Sequence, residues 1–125
     1  MLANALADDT EDGDLARERM AEDPPLHAPH LVDLEVLSVL RRRVAAGAVD
    51  QRRAALAIQD LQDLPMTRYP QLPFVRRIWE LRQNLTPYDA AYVALAEALE
   101  CAVLTADARL GRVSDLRCPV EVLRR

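Results

Sequence analysis

Asn84-Leu-Thr-Pro-Tyr-Asp-Ala-Ala-Tyr-Val-Ala-Leu-Ala-Glu-Ala-Leu-Glu-Cys-Ala-Val-Leu-Thr-Ala-Asp107 reads as one helix feeding one strand, with an acid at the entry of the helix and another just past the end of the strand. Thr86 is a good N-cap, Pro87 suits the first helical position because its missing N–H costs nothing there, and Asp89 completes a Thr-x-x-Asp capping box. Tyr88, Tyr92, Leu95 and Leu99 form one helical stripe that is expected to lie on a sheet, with Glu97 and Glu100 facing elsewhere. Cys101-Ala-Val-Leu-Thr105 is a short apolar run of the kind shown by a strand buried on both faces, and Asp107 follows where such a strand ends. Taken alone, Asp89 is explained as an anion at the positive end of a helix dipole, and Asp107 as the N-cap of a short helix over 108–111. Taken together they lie at the strand-end rim of one αβ unit, where open α/β sheets place their ligands.

Upstream, Phe74–Leu85 is predicted to be a helix with Ile78, Trp79 and Leu81 toward the core and Arg76, Arg77 and Arg82 outward. Met66–Tyr69 is a strand candidate, and Asp50 caps a helix whose apolar face is Ala54, Leu56, Ile58, Leu61 and Leu64. Pro29–Ala46 is the most apolar segment, with leucines and valines spread around the whole helical wheel, so it is predicted to be buried on all sides and to end at Gly47. Glu35 stands out there: a carboxylate among such neighbours must be protonated, bonded to an arginine or bound to a metal. Asp33 falls on another face, where solvent accounts for it. Leu26-His-Ala28 is a short strand, and a last strand is expected over Val120–Leu123. Before these, Asp14 can cap a helix over Leu15–Glu22 that Pro24-Pro25 terminates, Asp8–Asp14 is an acidic loop, and residues 2–7 look like the tail of a helix. Strands alternating with helices, joined by connections long enough for parallel crossovers, give an α/β fold in one domain spanning 1–125.

The formal charge of −4 hides an asymmetry, since residues 1–23 carry eight acids against Arg17 and Arg19, a net of −6, which leaves +2 for the rest. All sixteen basic residues are arginine, the side chain suited to bidentate phosphate contact, although base composition of the genome produces the same enrichment. No apolar run reaches membrane-spanning length and no signal peptide is recognisable, so a cytoplasmic protein without membrane contact is expected. Cys101 and Cys118 are expected to be reduced, buried thiols. His27 and His30 show no metal-ligand spacing with them and are expected to pack around the start of the apolar helix. Only three glycines occur, which excludes a phosphate-cradling loop and a dinucleotide fingerprint.

Glu35, Asp89 and Asp107 therefore form the candidate site. Like charges brought close repel unless a cation lies among them, and carboxylates without His or Cys favour Mg²⁺ or Mn²⁺ over zinc. Such a site at a sheet rim suits phosphoryl chemistry. Arg76, Arg77, Arg82, Arg109 and Arg112 are candidate phosphate contacts.

Leu26-His-Ala-Pro-His-Leu-Val-Asp-Leu-Glu-Val-Leu-Ser-Val-Leu-Arg-Arg42, Arg68-Tyr-Pro70, Leu81-Arg-Gln-Asn-Leu-Thr-Pro-Tyr-Asp-Ala-Ala-Tyr-Val-Ala-Leu-Ala-Glu97 and Leu104-Thr-Ala-Asp-Ala-Arg-Leu110 together resemble the PIN-domain ribonuclease toxins of bacterial VapBC toxin–antitoxin pairs. The resemblance covers nearly the whole chain and implies a three-layer α/β/α fold around a central parallel sheet. It implies that Glu35, Asp89 and Asp107 bind Mg²⁺ and cleave RNA, with structured RNA such as tRNA as substrate. Thr105 matches a hydroxyl that supports the site in some relatives. A VapB-type antitoxin that occludes the site, and a homodimer, are implied as partners. The departure is at the start: the family opens with an apolar strand, central in the sheet, that ends in a metal-binding Asp, and neither is recognisable in residues 1–25. Two expectations follow. With its central strand absent, the chain would fold weakly and be a degenerate, inactive PIN-like domain that binds antitoxin or RNA. With about ten further residues upstream, the usual length of a buried strand and its approach, it would be an ordinary toxin, which is the favoured expectation.

Overall fold

The computed structural model describes residues 25–123. The expectations for the first strand and for the helices over 2–7 and 15–22 lie outside the described residues. The described elements run β1 (Leu26–Pro29), α1 (Val32–Ala45), α2 (Gln51–Asp63), β2 (Met66–Tyr69), a 3₁₀ turn (Leu72–Phe74), α3 (Val75–Glu80), α4 (Pro87–Leu99), β3 (Val103–Thr105), a second 3₁₀ turn (Leu110–Arg112) and β4 (Val120–Val122). This is the expected α/β alternation. The four strands fall into two pairs, β1 with β2 and β3 with β4. No helix among the described residues is long and apolar enough to cross a membrane.

The chain divides into two compact units. Among the described residues, the first holds Leu26 and Leu31–Thr67, and the second holds His27–His30 and the chain from Arg68 onward. In the first unit α1 and α2 pack against each other. Asp50 caps α2 as expected, its Oδ1 accepting the Arg53 N–H at 2.7 Å, and α2 buries Ala54, Ala57 and Leu61. Leu56 and Ile58 are exposed, contrary to expectation. The reason is the 3.6-residue period: Ala54, Ala57 and Leu61 are three and four apart, whereas Leu56 and Ile58 sit about 200° and 40° round from Ala54. The prediction that α1 is buried on all sides is corrected in the same way. Only Val32, Val36 and Leu40, each four residues apart, are buried, while Leu34 is 71% and Leu37 41% exposed. Past α1 the backbone turns through Gly47 at φ +77°, a conformation in which a β-carbon is strained.

The second unit is built around α4. Its alanine-rich sequence is strongly helix-forming, and small side chains let neighbours approach closely. Ala90, Ala91, Val93, Ala94, Leu95 and Ala96 are all buried, a wider face than the predicted Tyr88–Leu99 stripe; Tyr88 is 64% exposed. Leu81, Leu85, Val103 and Leu110 close the core, and Ile78, Val113, Leu116 and Val120 pack on it. The helix predicted over 74–85 is shorter, because the chain leaves helical geometry after Glu80 and turns through Leu81–Leu85 to reach the Thr86 cap. Trp79 is turned outward, with the Arg82 guanidinium 4.5 Å from its ring centroid.

β3 and β4 run parallel, with Val103 opposite Val120 and Thr105 opposite Val122. The ladder opens with the Val103 N–H donating to the Pro119 carbonyl at 3.0 Å and ends with the Leu123 N–H donating to Thr105 at 2.8 Å. Cys101 and Cys118 each lie two residues before the first paired residue of their strand, both free and both half-buried rather than fully buried. Burial pushes the Cys118 thiol above its ordinary range and the nearby Glu97 carboxylate pushes it further.

Gly111 sits where the 3₁₀ turn crosses β4, and a β-carbon placed there meets Val122 Cγ2 at 2.8 Å. Val122 is β-branched and held in the ladder, so it has little freedom to give way. Gly111→Ala is expected to destabilise the fold by about 1–3 kcal/mol, as overpacking does, and Gly111→Ala with Val122→Ala to recover part of that. Chemical denaturation of the two variants checks this.

Candidate functional site

The geometry of the rim follows from the length of two elements. Thr86 caps α4 with its Oγ1 accepting the Asp89 N–H at 3.2 Å, Pro87 occupies the first turn, and Asp89 is thereby fixed at the helix entry. At the far end Glu100 adopts φ +55°, and the chain reverses, with the Cys101 N–H donating to Ala96 at 3.0 Å. β3 then runs back along α4 and packs on it. A thirteen-residue helix such as α4 is about 20 Å long, and the extended run from Cys101 to Asp107 covers about the same distance. Asp89 and Asp107 are therefore delivered to the same end of the second unit.

Past β3 the side chains organise a small turn. The Asp107 N–H donates to Thr105 Oγ1 at 3.0 Å, so Thr105 orients the backbone that carries the carboxylate. Asp107 Oδ1 accepts the Arg109 N–H at 2.9 Å and Arg109 Nε at 3.2 Å, while Oδ2 accepts Arg109 Nη2 at 3.1 Å. Asp107 does cap the following turn, though that turn is a 3₁₀ segment over Leu110–Arg112 rather than a helix over 108–111. The Arg109 side chain holds the Asp107 carboxyl below its ordinary range, and the Arg109 backbone N–H adds to that. The negative charge of Asp89 also reaches Arg109. One guanidinium thus faces both rim acids, in a pair that is well exposed.

Glu35 lies in the first turn of α1, in the first unit. It is half-buried and has interactions of its own, so the stringent choice that full burial would have forced on it is relaxed. Among the described residues no three or more His, Cys, Asp or Glu side chains are gathered tightly enough to hold a metal ion by themselves. Asp89 and Asp107 supply oxygen donors open to water. That fits a hydrated, oxygen-seeking Mg²⁺ or Mn²⁺ in kind, because such ions keep several waters and use few protein ligands. His27 Nδ1 lies 2.8 Å from the Tyr69 hydroxyl, with the two rings 5.6 Å apart, and the His30 N–H donates to the Tyr69 carbonyl at 2.7 Å. The histidines therefore pin β1 to β2.

Of the five candidate phosphate contacts, Arg76, Arg82, Arg109 and Arg112 are exposed. Arg77 is different, and the expectation that it points outward is corrected. Its Nε donates to Glu97 Oε1 at 2.7 Å, and its Nη2 to Glu97 Oε2 at 3.0 Å and to the Asp115 carbonyl at 3.2 Å. Glu97 Oε2 also accepts the Arg117 N–H at 2.7 Å. Glu97 therefore does not face away into solvent but ties α3, α4 and the loop before β4 together. Sequence reasoning missed this network because its members are 20 and 38 residues apart. The one available signal was an acid, Glu97, within a helix otherwise rich in small apolar residues.

Residues 2–116 match the PIN domain family model, and the chain belongs to that family. Within it, the chain is similar to the VapC proteins. It is 50% identical over 124 residues to Ribonuclease VapC9 of Mycobacterium tuberculosis, a match covering 97% of this chain and 94% of that protein. A VapC ribonuclease of Mycobacterium bovis matches to the same extent. Ribonuclease VapC1 of Mycobacterium tuberculosis is 42% identical over 99 residues, covering 78% of this chain and 74% of the relative.

The Arg77 hydrogen bond, joined by the Arg117 N–H and opposed by burial, holds the Glu97 carboxyl below its ordinary value. A carboxyl with a depressed folded-state pKa stabilises the fold fully above its unfolded value, about 4.3, and loses that contribution as pH falls through the depressed value. Arg77→Ala, which strands a largely buried carboxylate, is expected to cost about 1–3 kcal/mol at neutral pH. Glu97→Gln should cost less, and its deficit against the parent should shrink below about pH 4. Urea denaturation at neutral and acid pH measures both.

Proposed function

We propose that this protein is a divalent-metal-dependent endoribonuclease toxin of a type II toxin–antitoxin pair, hydrolysing phosphodiester bonds of structured RNA such as tRNA in the cytoplasm. The observation that carries this reading is the delivery of Asp89 and Asp107 to one rim by the antiparallel run of α4 and β3, in a chain half identical to proteins named as VapC ribonucleases. Glu35, Asp89 and Asp107 would hold the ion, Mg²⁺ or Mn²⁺. When bound, a divalent ion of this kind neutralises the negative charge that gathers on a phosphodiester under attack by water.

The chain's own residues supply the rest. Thr105 fixes the backbone of Asp107 through the 3.0 Å hydrogen bond, so that its carboxylate enters the site in one orientation. The helix entry that carries Asp89 has free N–H groups and a positive dipole end, which favour an anionic group beside it. Exposed Arg76, Arg82, Arg109 and Arg112 can engage phosphates along an RNA strand without reading its bases. Arg77 is spent on Glu97 and contributes through the fold. The exposed apolar side chains Leu34, Leu37, Leu72, Val75 and Trp79 are the kind of surface that a VapB-type antitoxin or a second copy of the chain would cover.

The test is RNA cleavage by the purified chain with and without Mg²⁺, alongside Asp89→Asn, Asp107→Asn and Glu35→Gln. Cleavage is expected only with the metal. Each substitution should lower it by about a hundred-fold or more, since even outer-shell partners of a metal site are worth ten- to a hundred-fold. Folded variants that cut RNA as fast as the parent would overturn the site. A metal-independent chain that binds RNA or antitoxin without cutting would instead be the inactive PIN-like domain.

A further inference from the structure

We propose that Arg109 is a resident counter-cation of the acidic rim, holding the place of the divalent ion and turning to an RNA phosphate when the ion enters. This rests on the metal-site reading given above, and it adds a role for a residue that the acids alone do not define. The argument starts from the hydrogen bonds. Arg109 engages Asp107 through three donors, its backbone N–H at 2.9 Å, Nε at 3.2 Å and Nη2 at 3.1 Å, which occupies both carboxylate oxygens. No side chain can make a fuller claim on a carboxylate than this fork. An ion coordinating Asp107 must therefore take at least one oxygen from the guanidinium.

The two claims on Asp107 differ in kind. The backbone N–H bond belongs to the 3₁₀ turn and persists whatever the side chain does, so the carboxylate stays aimed while the guanidinium departs. The side-chain half of the contact is weak enough to be exchanged, because the Arg109 side chain is 84% and that of Asp107 42% exposed. The second acid matters as well. Asp89 lies at the same end of the unit and its charge also acts on Arg109, so the guanidinium answers the repulsion between two carboxylates in the way a metal would. A displaced Arg109 has no other carboxylate recorded as its hydrogen-bond partner, and its planar fork matches a phosphate as well as it matches a carboxylate. Metal entry would thus release a phosphate-binding cation at the place where an RNA phosphate has to arrive.

Mn²⁺ binding to the full chain, read by the loss of the free-ion electron paramagnetic resonance signal, tests this without reference to turnover. Removing a competitor should tighten the metal site. Arg109→Ala is therefore expected to bind Mn²⁺ about two- to five-fold more tightly than the parent, the range that an exposed ion pair corresponds to, and Arg109→Lys to fall between. RNA binding supplies the second readout. With Ca²⁺ present the parent's salt dependence should be steeper than that of Arg109→Ala by about one phosphate contact, and without divalent ions the two slopes should agree. Equal or weaker Mn²⁺ binding by Arg109→Ala would overturn the proposal, as would a slope difference that is the same with and without the ion. Mn²⁺ binding that ignores Asp89→Asn and Asp107→Asn would overturn the metal site and this inference with it. Binding that responds to the two Asp substitutions but not to Arg109→Ala would overturn this inference alone.

Discussion

One carboxylate, that of Glu97, governs the second half of the molecule. Projecting from the last turns of α4, it accepts two bonds from Arg77 of α3 and one from the Arg117 N–H just before β4. Three segments with no sequence proximity are thereby fixed to a single point. Arg77 extends the tie to the carbonyl of Asp115, a residue at φ +66° whose turn sends the chain toward β4. The start of β4 is set two to three residues later, and the parallel register places Val120 beside Val103 and Val122 beside Thr105. β3 is only three residues long and could not hold its direction unaided. Its direction decides where Asp107 ends up. The rim thus depends on an ion pair at the opposite end of α4, through hydrogen-bonded backbone rather than through contact.

This division of labour explains the character of the rim itself. Its acids are exposed and lightly held, as groups that must exchange partners have to be, while the contacts that position them are buried alanines and a satisfied carboxylate. The Thr86 and Thr105 hydroxyls do the same work at the two sides of the rim, each accepting one backbone N–H and so fixing the residue that carries an acid. Binding chemistry and structural chemistry are therefore carried by different residues, even within the 24-residue stretch that holds both acids.

What was legible in the sequence was local. The Thr86 and Asp50 caps, the four strands from Leu26 onward and the alternation of elements could be read because each rests on neighbours a few residues apart. The helix-to-strand reversal that sends Asp107 back beside Asp89 was legible for the same reason. Burial was less so. An apolar wheel shows that a helix has the means to be buried all round but not how many sides have a neighbour, which is why α1 keeps Leu34 and Leu37 exposed. Long-range ion pairs were not legible at all: Arg77 looked like one arginine among sixteen, and nothing in its own surroundings marks it as the partner of Glu97. Arg109 was named for its charge, but its grip on both oxygens of Asp107 depends on the tightness of a 3₁₀ turn that composition does not predict.

The reversal at Glu100 has a consequence for how such a protein can change over time. A left-handed residue bearing a β-carbon carries a conformational cost on the order of 1 kcal/mol that glycine would avoid. Its side chain is exposed and lies at the opposite end of α4 from the acids. The turn is thus an untapped reserve, a position where one substitution could offset damage incurred elsewhere and widen the set of rim sequences that the scaffold tolerates.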